Sequence, residues 1–421
     1  MGLRKLLGCL GVALFALSPV IAAEQTAQTP DQNQVVSPGD SRFADPFFAP
    51  PDGRPVMDAW RPGSGSAAAD TMVPHPAPFR PERLWFATDF YHAVGHGTLL
   101  PPLVTTAPAG TPPGTGGALN EPSTRILFGG ERALNQFRPG LRANAGLWLT
   151  EDYRLGIDAT FLYLGDVSSS FSGTTSPTGP VLAQPVYVGD FGTQIGVSVG
   201  SFAPGTLSAR ATSAVIGGDV NIRYGLTTSE MGRLDFFLGY RYMNLRDTVE
   251  VDSQTRVVAT PTQLSILPVF DFSVSDRFRT TNQFHGGQIG LGGTHRLFGR
   301  LTLTTKATIA VGVNISDVTI AGETTTSLGT FSGGLLTGSD NIGSMRDNFF
   351  SVMPEATAKL GWDVTDRIRV NAGYSALFWT NVRRAADQID TTIQINGRPA
   401  FPNDGTTYWL QGWTVGLDLR Y

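Results

Sequence analysis

The sequence predicts an all-β protein: a single closed antiparallel up-and-down β-barrel that crosses a membrane with about ten strands, within a range of about eight to twelve. Three observations support this fold class. From residue 83 onward, apolar and polar residues alternate with a period of two. Short and long connections alternate between the strand-like segments. The 421-residue chain also contains 50 glycines and 28 prolines but only 16% charged residues, which suits strands joined by tight turns.

The first 23 residues are typical of a cleaved signal peptide. Arg4 and Lys5 supply the charged start, an apolar run covers 6–17, and small residues up to Ala23 provide a cleavage site. The apolar run is shorter than the roughly 20 residues that a spanning helix needs, so we expect a leader rather than an anchor. Cys9, the only cysteine, lies inside this leader, so the exported protein is expected to contain no disulfide.

The segment 24–82 is rich in proline, glycine and serine and has no apolar periodicity. This composition predicts a disordered tether in front of a barrel domain at 83–421. The alternative is a short docking element formed by the clustered aromatic residues Phe43, Phe47, Phe48 and Trp60.

The period of two is clearest at 413–421, where odd positions are apolar or aromatic and even positions are small or charged. Successive side chains of a strand point to opposite faces, so this pattern predicts a two-faced strand. The same test predicts further strands at 83–93, 141–149, 155–163, 214–224, 234–242, 283–297, 301–313, 350–363 and 368–378.

The connections between these strands alternate in length. Outer-membrane barrels have short periplasmic turns and long extracellular loops, whereas a soluble sandwich has no reason to alternate them. An even strand count also places both termini at the periplasmic end. The predicted short connections are 150–152, 227–232, 298–299 and 364–366, and the predicted long ones are 94–139, 167–211, 248–275, 319–345 and 384–408.

In such a barrel the apolar face meets lipid and the polar face lines the lumen. Aromatic side chains are expected at the lipid interface, where amphipathic rings rest at headgroup level. These are Tyr224, Tyr242, Trp362, Phe378, Trp413 and Tyr421. The charged residues predicted to line the lumen are Asp89, Arg142, Asp158, Asp219, Arg223, Asp235, Arg241, Arg296, Lys306, Glu355, Lys359, Arg369, Asp418 and Arg420.

Two arrangements of this lumen remain open from the sequence. A barrel of about eight strands is just filled by its side chains, and ten strands add little width. Opposite charges therefore either pair across the lumen and close it, or line a narrow aqueous channel. The connection 94–139 is long enough to fold inward as a constriction.

Several short segments carry a family resemblance, which extends over roughly residues 83 to 421 and is most specific at 100–165. The segments lie at 100–106, 124–130, 146–149, 154–158 and 161–165. Here the chain resembles the planctomycete outer-membrane β-barrel porin family (predicted barrel porin family seven). The resemblance implies an outer-membrane barrel and supplies no catalytic or binding residues.

The sequence argues against an enzyme, a cofactor or a metal site. His92 and His96 have a helical spacing but flank a strand end, and there is no His-Glu-x-x-His pattern. Ser168 to Ser172 lie in a predicted loop without a recognisable nucleophile motif. An outer-membrane hydrolase with convergent Ser, His and Asp side chains is a remote alternative. A net charge of −4 gives no reason to expect nucleic-acid binding.

These observations predict an exported protein in the outer membrane of a Gram-negative-type bacterium. We expect a narrow porin for ions or small polar solutes. The alternative is a plugged structural or surface-binding barrel that acts through its extracellular loops. The expected partners are the outer-membrane lipid bilayer and the barrel-assembly machinery, which would recognise the C-terminal strand ending at Tyr421. The solute and the oligomeric state stay open.

Overall fold

The computed structural model describes residues 83–200, 203–257, 270–393 and 397–421, and the structural statements below concern these residues. The predicted signal peptide and the segment 24–82 lie outside them. Ten long strands are numbered in chain order. They are β1 Leu84–Gly95, β2 Phe137–Trp148, β3 Leu155–Thr175, β4 Gly205–Ser229, β5 Gly232–Val257, β6 Phe270–Phe298, β7 Leu301–Thr326, β8 Gly343–Asp363, β9 Ile368–Val382 and β10 Thr406–Arg420.

These strands form one closed antiparallel barrel. Each strand pairs with the next along the chain, and β10 also pairs with β1, from Trp85 opposite Arg420 to Gly95 opposite Leu410. Closure is necessary in hydrocarbon because an open edge would leave backbone amide and carbonyl groups without partners. The predicted closed barrel of ten strands is therefore confirmed.

The connections alternate in length as predicted. The short turns, at 149–154, 230–231, 299–300 and 364–367, all lie at one end of the barrel, which we call the short-turn end. Both termini of the barrel lie at this end: Leu84 and Tyr421 exchange backbone hydrogen bonds of 3.0 and 2.8 Å. The longer connections 96–136, 176–204, 327–342 and 383–405, in their described residues, lie at the opposite, loop end.

The strands β3 to β7 are longer than predicted, which corrects the expected connections 167–211 and 248–275. Each of these segments is largely strand. The period of two continues there with reversed polarity, because Val167 is buried while Ser168 and Ser170 are exposed. A sequence pattern that requires apolar residues on the outward face does not detect such a strand, because its apolar residues point inward. We call these parts the projecting segments: 166–175 of β3, 205–213 of β4, 246–255 of β5, 271–281 of β6 and 316–326 of β7.

The long connections fold into a cap at the loop end. Five short strands form a separate sheet, which we call the cap sheet. In addition, Thr98–Leu99 pairs with Arg132–Ala133. Two short 3-10 helices, Gly189–Phe191 and Ala386–Gln388, lie in the same connections. No helix in the described ranges has both the length and the apolar character to cross a bilayer. The strands of the cap sheet are Val104–Ala107, Arg125–Phe128, Val181–Val188, Thr193–Val199 and Thr392–Ile393.

Candidate functional site

The outer surface of the barrel carries an apolar belt. Side chains such as Phe90, Val220 and Val415 are more than half exposed there, while their strand neighbours point inward. The aromatic residues predicted at the lipid interface all lie on this surface. Three are near the short-turn end and three lie farther toward the loop end; they are Tyr224, Trp362 and Tyr421, then Tyr242, Phe378 and Trp413. Their contact with lipid stays a prediction.

A cavity of about 210 Å³ occupies the short-turn half of the lumen, and we call it the lower cavity. Its wall combines charged side chains with the rings of Trp85, Trp148 and Phe237. Many of the charged residues predicted to line the lumen contribute to this wall. They are Asp89, Arg142, Asp158, Arg223, Lys306, Lys359, Arg369, Asp418 and Arg420.

The remaining predicted residues mostly lie behind this wall as its ion-pair partners. Glu355 binds both Arg142 and Arg241, at 2.5 Å from Arg241. Arg241 also reaches Asp219 at 3.3 Å, and Lys306 lies 3.7 Å from Asp219. The side chains of Glu355, Arg241 and Asp219 are less than a tenth exposed. Their charges therefore depend on one another rather than on water.

Neutral amides extend this network. Asn221 donates hydrogen bonds to Asp158 at 2.7 Å and to Asp219 at 2.6 Å. Its carbonyl accepts a hydrogen bond from Gln288. Asn221 therefore joins two carboxylates that would otherwise repel each other.

An arginine pair at the short-turn end shares the buried carboxylate of Asp235. Arg223 and Arg233 both donate to it. Their guanidinium groups lie 4.9 and 4.0 Å from the ring of Trp148. A desolvated cation over an indole face is stabilised by the ring quadrupole. Arg296, the remaining predicted lumen residue, is half-buried close to the same end.

On the opposite wall at this end, a second carboxylate, that of Asp363, is likewise shared by two arginines. Arg369 and Arg420 each donate to it at 2.7 Å. The sequence prediction missed Asp363, Arg233 and Trp148. Strand parity could have found Trp148, because it has the same parity as Arg142 in β2.

Above the lower cavity, the lumen is filled by apolar side chains, and this corrects the prediction of a polar inward face along the whole barrel. Every strand except β2 contributes. Phe284 and Trp379 pack edge to face with ring centroids 6.2 Å apart, and neither is accessible to solvent. We call this group the apolar layer: Tyr91, Ala93, Leu162, Leu164, Val215, Met243, Leu245, Phe284, Ala310, Met353, Leu377, Trp379, Val382, Tyr408 and Leu410.

The cap closes the lumen a second time, at the loop end. Buried residues of the loops, such as Leu103 and Val186, pack in one cluster with inward side chains of the projecting segments, such as Val251 and Phe278. The connection 94–139, expected as a constriction, supplies part of this loop plug. The plug is fixed by polar contacts as well, since the backbone amides of Leu335 and Leu336 donate to Asp276 at 3.1 Å.

A buried ion pair lies between the apolar layer and the loop plug. Arg384 binds Asp247, and both side chains are at most 2% exposed. Arg384 also donates to the carbonyl of His96 at 2.8 Å, so it ties two long connections to β5. Burial lowers the pKa of His96, which keeps this imidazole neutral near pH 7.

The residues considered for an enzyme site do not come together. Asp89 faces the lumen, where Lys359 binds it, whereas His285 lies on the outer surface and contacts Tyr240 at 2.6 Å. Ser168 and Ser170 are exposed on β3. Across the described ranges, no group of three or more His, Cys, Asp or Glu side chains is arranged to hold a metal ion.

The closed barrel, the apolar belt and the alternating connections define a transmembrane β-barrel of the outer-membrane class. A family model described as putative beta barrel porin-7 (BBP7) matches residues 85–421. The chain therefore belongs to the BBP7 family, which confirms the resemblance seen in the sequence. Membership implies an outer-membrane location. Among curated protein sequences, none matches the chain.

Several solved outer-membrane proteins are similar to the chain. The Escherichia coli outer membrane protease OmpT is 12% identical, with 81% of this chain and 97% of that chain covered and a TM-score of 0.40. A Pseudomonas aeruginosa FadL homologue is 8% identical, with 80% and 90% covered and a TM-score of 0.24. The P. putida toluene transporter TodX is 7% identical, with 81% and 91% covered and a TM-score of 0.19. Sequence identities and TM-scores this low carry no argument about the activity of this chain.

Proposed function

We propose that this chain is a sealed outer-membrane barrel that acts through its extracellular cap, as a structural or surface-binding protein. The apolar layer is the observation that carries the proposal. Its side chains come from nearly all strands, and Phe284, Trp379 and Tyr408 are inaccessible to solvent. A hydrated ion would have to shed water to enter such a layer, and hydrophobic constrictions close pores by dewetting.

The loop plug supports the same proposal because it is a separate barrier in series. Its buried core includes Leu100 and Phe128 from the connection 96–136 and Leu336 from the connection 327–342. A cap packed this tightly presents a defined surface to the outside. We propose that this surface contacts external ligands or other envelope components.

The proposal includes no catalytic site and no cofactor. The partners it requires are the lipid bilayer and the barrel-assembly machinery. We propose that the machinery recognises β10, whose outward residues Trp413, Val415 and Leu417 lead to the terminal Tyr421.

A narrow porin for ions or small polar solutes is the second candidate, and the lower cavity favours it. This cavity of about 210 Å³ is lined by charges and lies at the periplasmic, short-turn end. It would serve as the inner half of a channel if both the apolar layer and the loop plug opened. Two barriers would then have to move together.

Planar-bilayer recording of the refolded full chain distinguishes the two candidates. The sealed barrel predicts no current steps across the physiological voltage range. A matched variant, Met353→Ser with Leu377→Ser, adds hydroxyl groups to the apolar layer but keeps the loop plug, and it is expected to stay silent. Discrete wild-type steps that depend on salt concentration would contradict the sealed barrel and support the porin.

A further inference from the structure

The outer face of the projecting segments carries arginines without a carboxylate partner. Arg210, Arg246 and Arg279 are all exposed on β4, β5 and β6. Within the part of the chain that the structure describes, no Asp or Glu oxygen lies within ion-pair distance of these three. Opposite charges that face each other across strands stabilise a sheet. Arg210 lies opposite Glu250, but Arg246 lies opposite Ala214 and Thr281, and Arg279 lies opposite Thr248 and Thr319.

The nearest acidic residues on this face are already engaged. Glu250 binds Arg277 at 2.7 Å, and Asp317 binds Arg346 at 3.5 Å. The patch around Arg246 and Arg279 therefore keeps an uncompensated positive charge. Such a patch attracts an anion.

The register brings two of these arginines side by side. Arg246 lies opposite Thr281, and Arg279 lies opposite Thr248. The two arginines are thus diagonal neighbours across β5 and β6, where positions are about 7–8 Å apart. Guanidinium groups at that spacing can bracket one phosphate, with the hydroxyls of Thr248 and Thr281 between them.

The height of this pair on the barrel identifies the source of the anion. Tyr240, Tyr242 and His285 form a ring cluster just below it, with the Tyr240 hydroxyl 2.6 Å from His285 Nδ1. Amphipathic rings mark the headgroup level of a bilayer. Arg246 is four residues beyond Tyr242, which is about 9 Å higher on a strand tilted by roughly 45°. A long arginine stem spans that distance readily.

We propose that Arg246 and Arg279 bind the phosphate group of a lipid in the outer leaflet. The guanidinium groups hold the phosphate, and the rings of Tyr240, Tyr242 and His285 contact the lipid below it. A soluble phosphate would use only the upper half of this arrangement. The site rests on the orientation of the barrel and not on whether its lumen conducts.

Native mass spectrometry of the folded full chain in nonionic detergent tests the site, with dioleoyl phosphatidic acid as the probe. Wild type is expected to retain this lipid. The double variant Arg246→Gln with Arg279→Gln is expected to bind it at least about tenfold more weakly, since each arginine near a membrane surface contributes roughly 1 kcal/mol. Arg277→Gln is the matched control, because Arg277 is already paired with Glu250. It is expected to bind like wild type.

Three results would overturn the proposal. They are equal retention by the double variant, equal retention of dioleoylglycerol (which lacks the phosphate), and displacement of the lipid by an equal concentration of inorganic phosphate. The conservative variant Arg246→Lys with Arg279→Lys keeps the charges and is expected to retain most of the binding. Folding of each variant is checked by heat-dependent gel mobility, and the single variants preserve the test if the double variant does not fold.

Discussion

The membrane-level half of the barrel and its projecting segments share the same strands and the same period of two but have opposite polarity. In the lower half, Asp219 and Asn221 point inward while Val220 and Ile222 are exposed. In the projecting segments of the same strand, Leu207 and Ala209 are buried while Arg210 is exposed. The solvent outside the strand decides the pattern: lipid selects apolar outward residues, and water selects polar ones.

The same contrast explains how each half is held together. The lower half has a polar interior, so its core is a network of ion pairs around Glu355. The projecting half has an apolar interior, so its core is formed by burial against the loops. Substitutions in the lower half should therefore lower the free energy of unfolding most when they remove a charge. Substitutions in the projecting half should lower it most when they remove side-chain volume.

The largest expected effect comes from removing the shared carboxylate of the lower network. Glu355→Leu leaves Arg142 and Arg241 buried without their common partner. We expect a loss of about 3–5 kcal/mol in the free energy of unfolding, as for other buried pairs that lose one member. Glu250→Gln breaks an exposed pair with Arg277 and is the control, with an expected loss of at most about 1 kcal/mol. Guanidinium unfolding in lipid vesicles measures both, and equal losses would contradict a buried network.

An arginine scan of the outer surface tests the change of polarity itself. Val220→Arg places a charge in the apolar belt and is expected to cost about 2–4 kcal/mol if Val220 lies near the bilayer midplane. Ser172→Arg makes the same change on the projecting part of β3, where the side chain is exposed to water. Its expected effect is within about 0.5 kcal/mol. If the two variants unfold alike in vesicles, the boundary between the halves is misplaced.

A smaller, pH-dependent effect is expected in the connection 383–405. Asp390 accepts hydrogen bonds from Arg398 at 2.6 Å, the Ala400 amide at 2.7 Å and the Thr392 amide at 2.9 Å. Burial opposes its ionisation, but these hydrogen bonds dominate and hold its pKa below the ordinary value of 3.8. The stabilisation is therefore complete only at pH values well above the ordinary, unfolded pKa, and it is lost as the pH falls through the lower, folded pKa.

Amide hydrogen exchange measures this effect at Thr392 and Ala400. Each lost hydrogen bond weakens local protection by about 1 kcal/mol, or about fivefold in exchange rate. At neutral pH, Asp390→Asn is expected to show the same reduced protection at these two amides, relative to their intrinsic exchange rates, as wild type shows once Asp390 is protonated. Unchanged protection in the variant would show that the backbone of this connection does not depend on the carboxylate.

The sequence predicts the barrel well because the period of two and the turn lengths are local properties. Strand 413–421 and the short turns follow directly from them. The interior is harder to predict, because the same inward parity holds Asp89 in the lower cavity and Tyr91 in the apolar layer two residues later. Parity gives the face of a residue, but its height along the barrel decides whether water, protein or lipid surrounds it.

The charged wall shows the same limit. Strand parity predicts Arg223 and Asp235 as inward residues. It does not predict that Asp235 also forms an ion pair with Arg233, because Arg233 borders a turn. The loop plug is least predictable of all. Its contacts join residues far apart in the chain, such as Leu103, Val251 and Ile393, and no local pattern encodes them.

The seal across the lumen is tested most directly by labelling single cysteines from one side. Residues 83–421 contain no cysteine, so Thr304→Cys in the lower cavity and Ser172→Cys on the outer face of β3 are informative in a Cys9→Ser background. A membrane-impermeant maleimide added to intact cells is expected to label Ser172→Cys but not Thr304→Cys, and permeabilised cells are expected to label both. Labelling of Thr304→Cys in intact cells as fast as Ser172→Cys would contradict a sealed barrel.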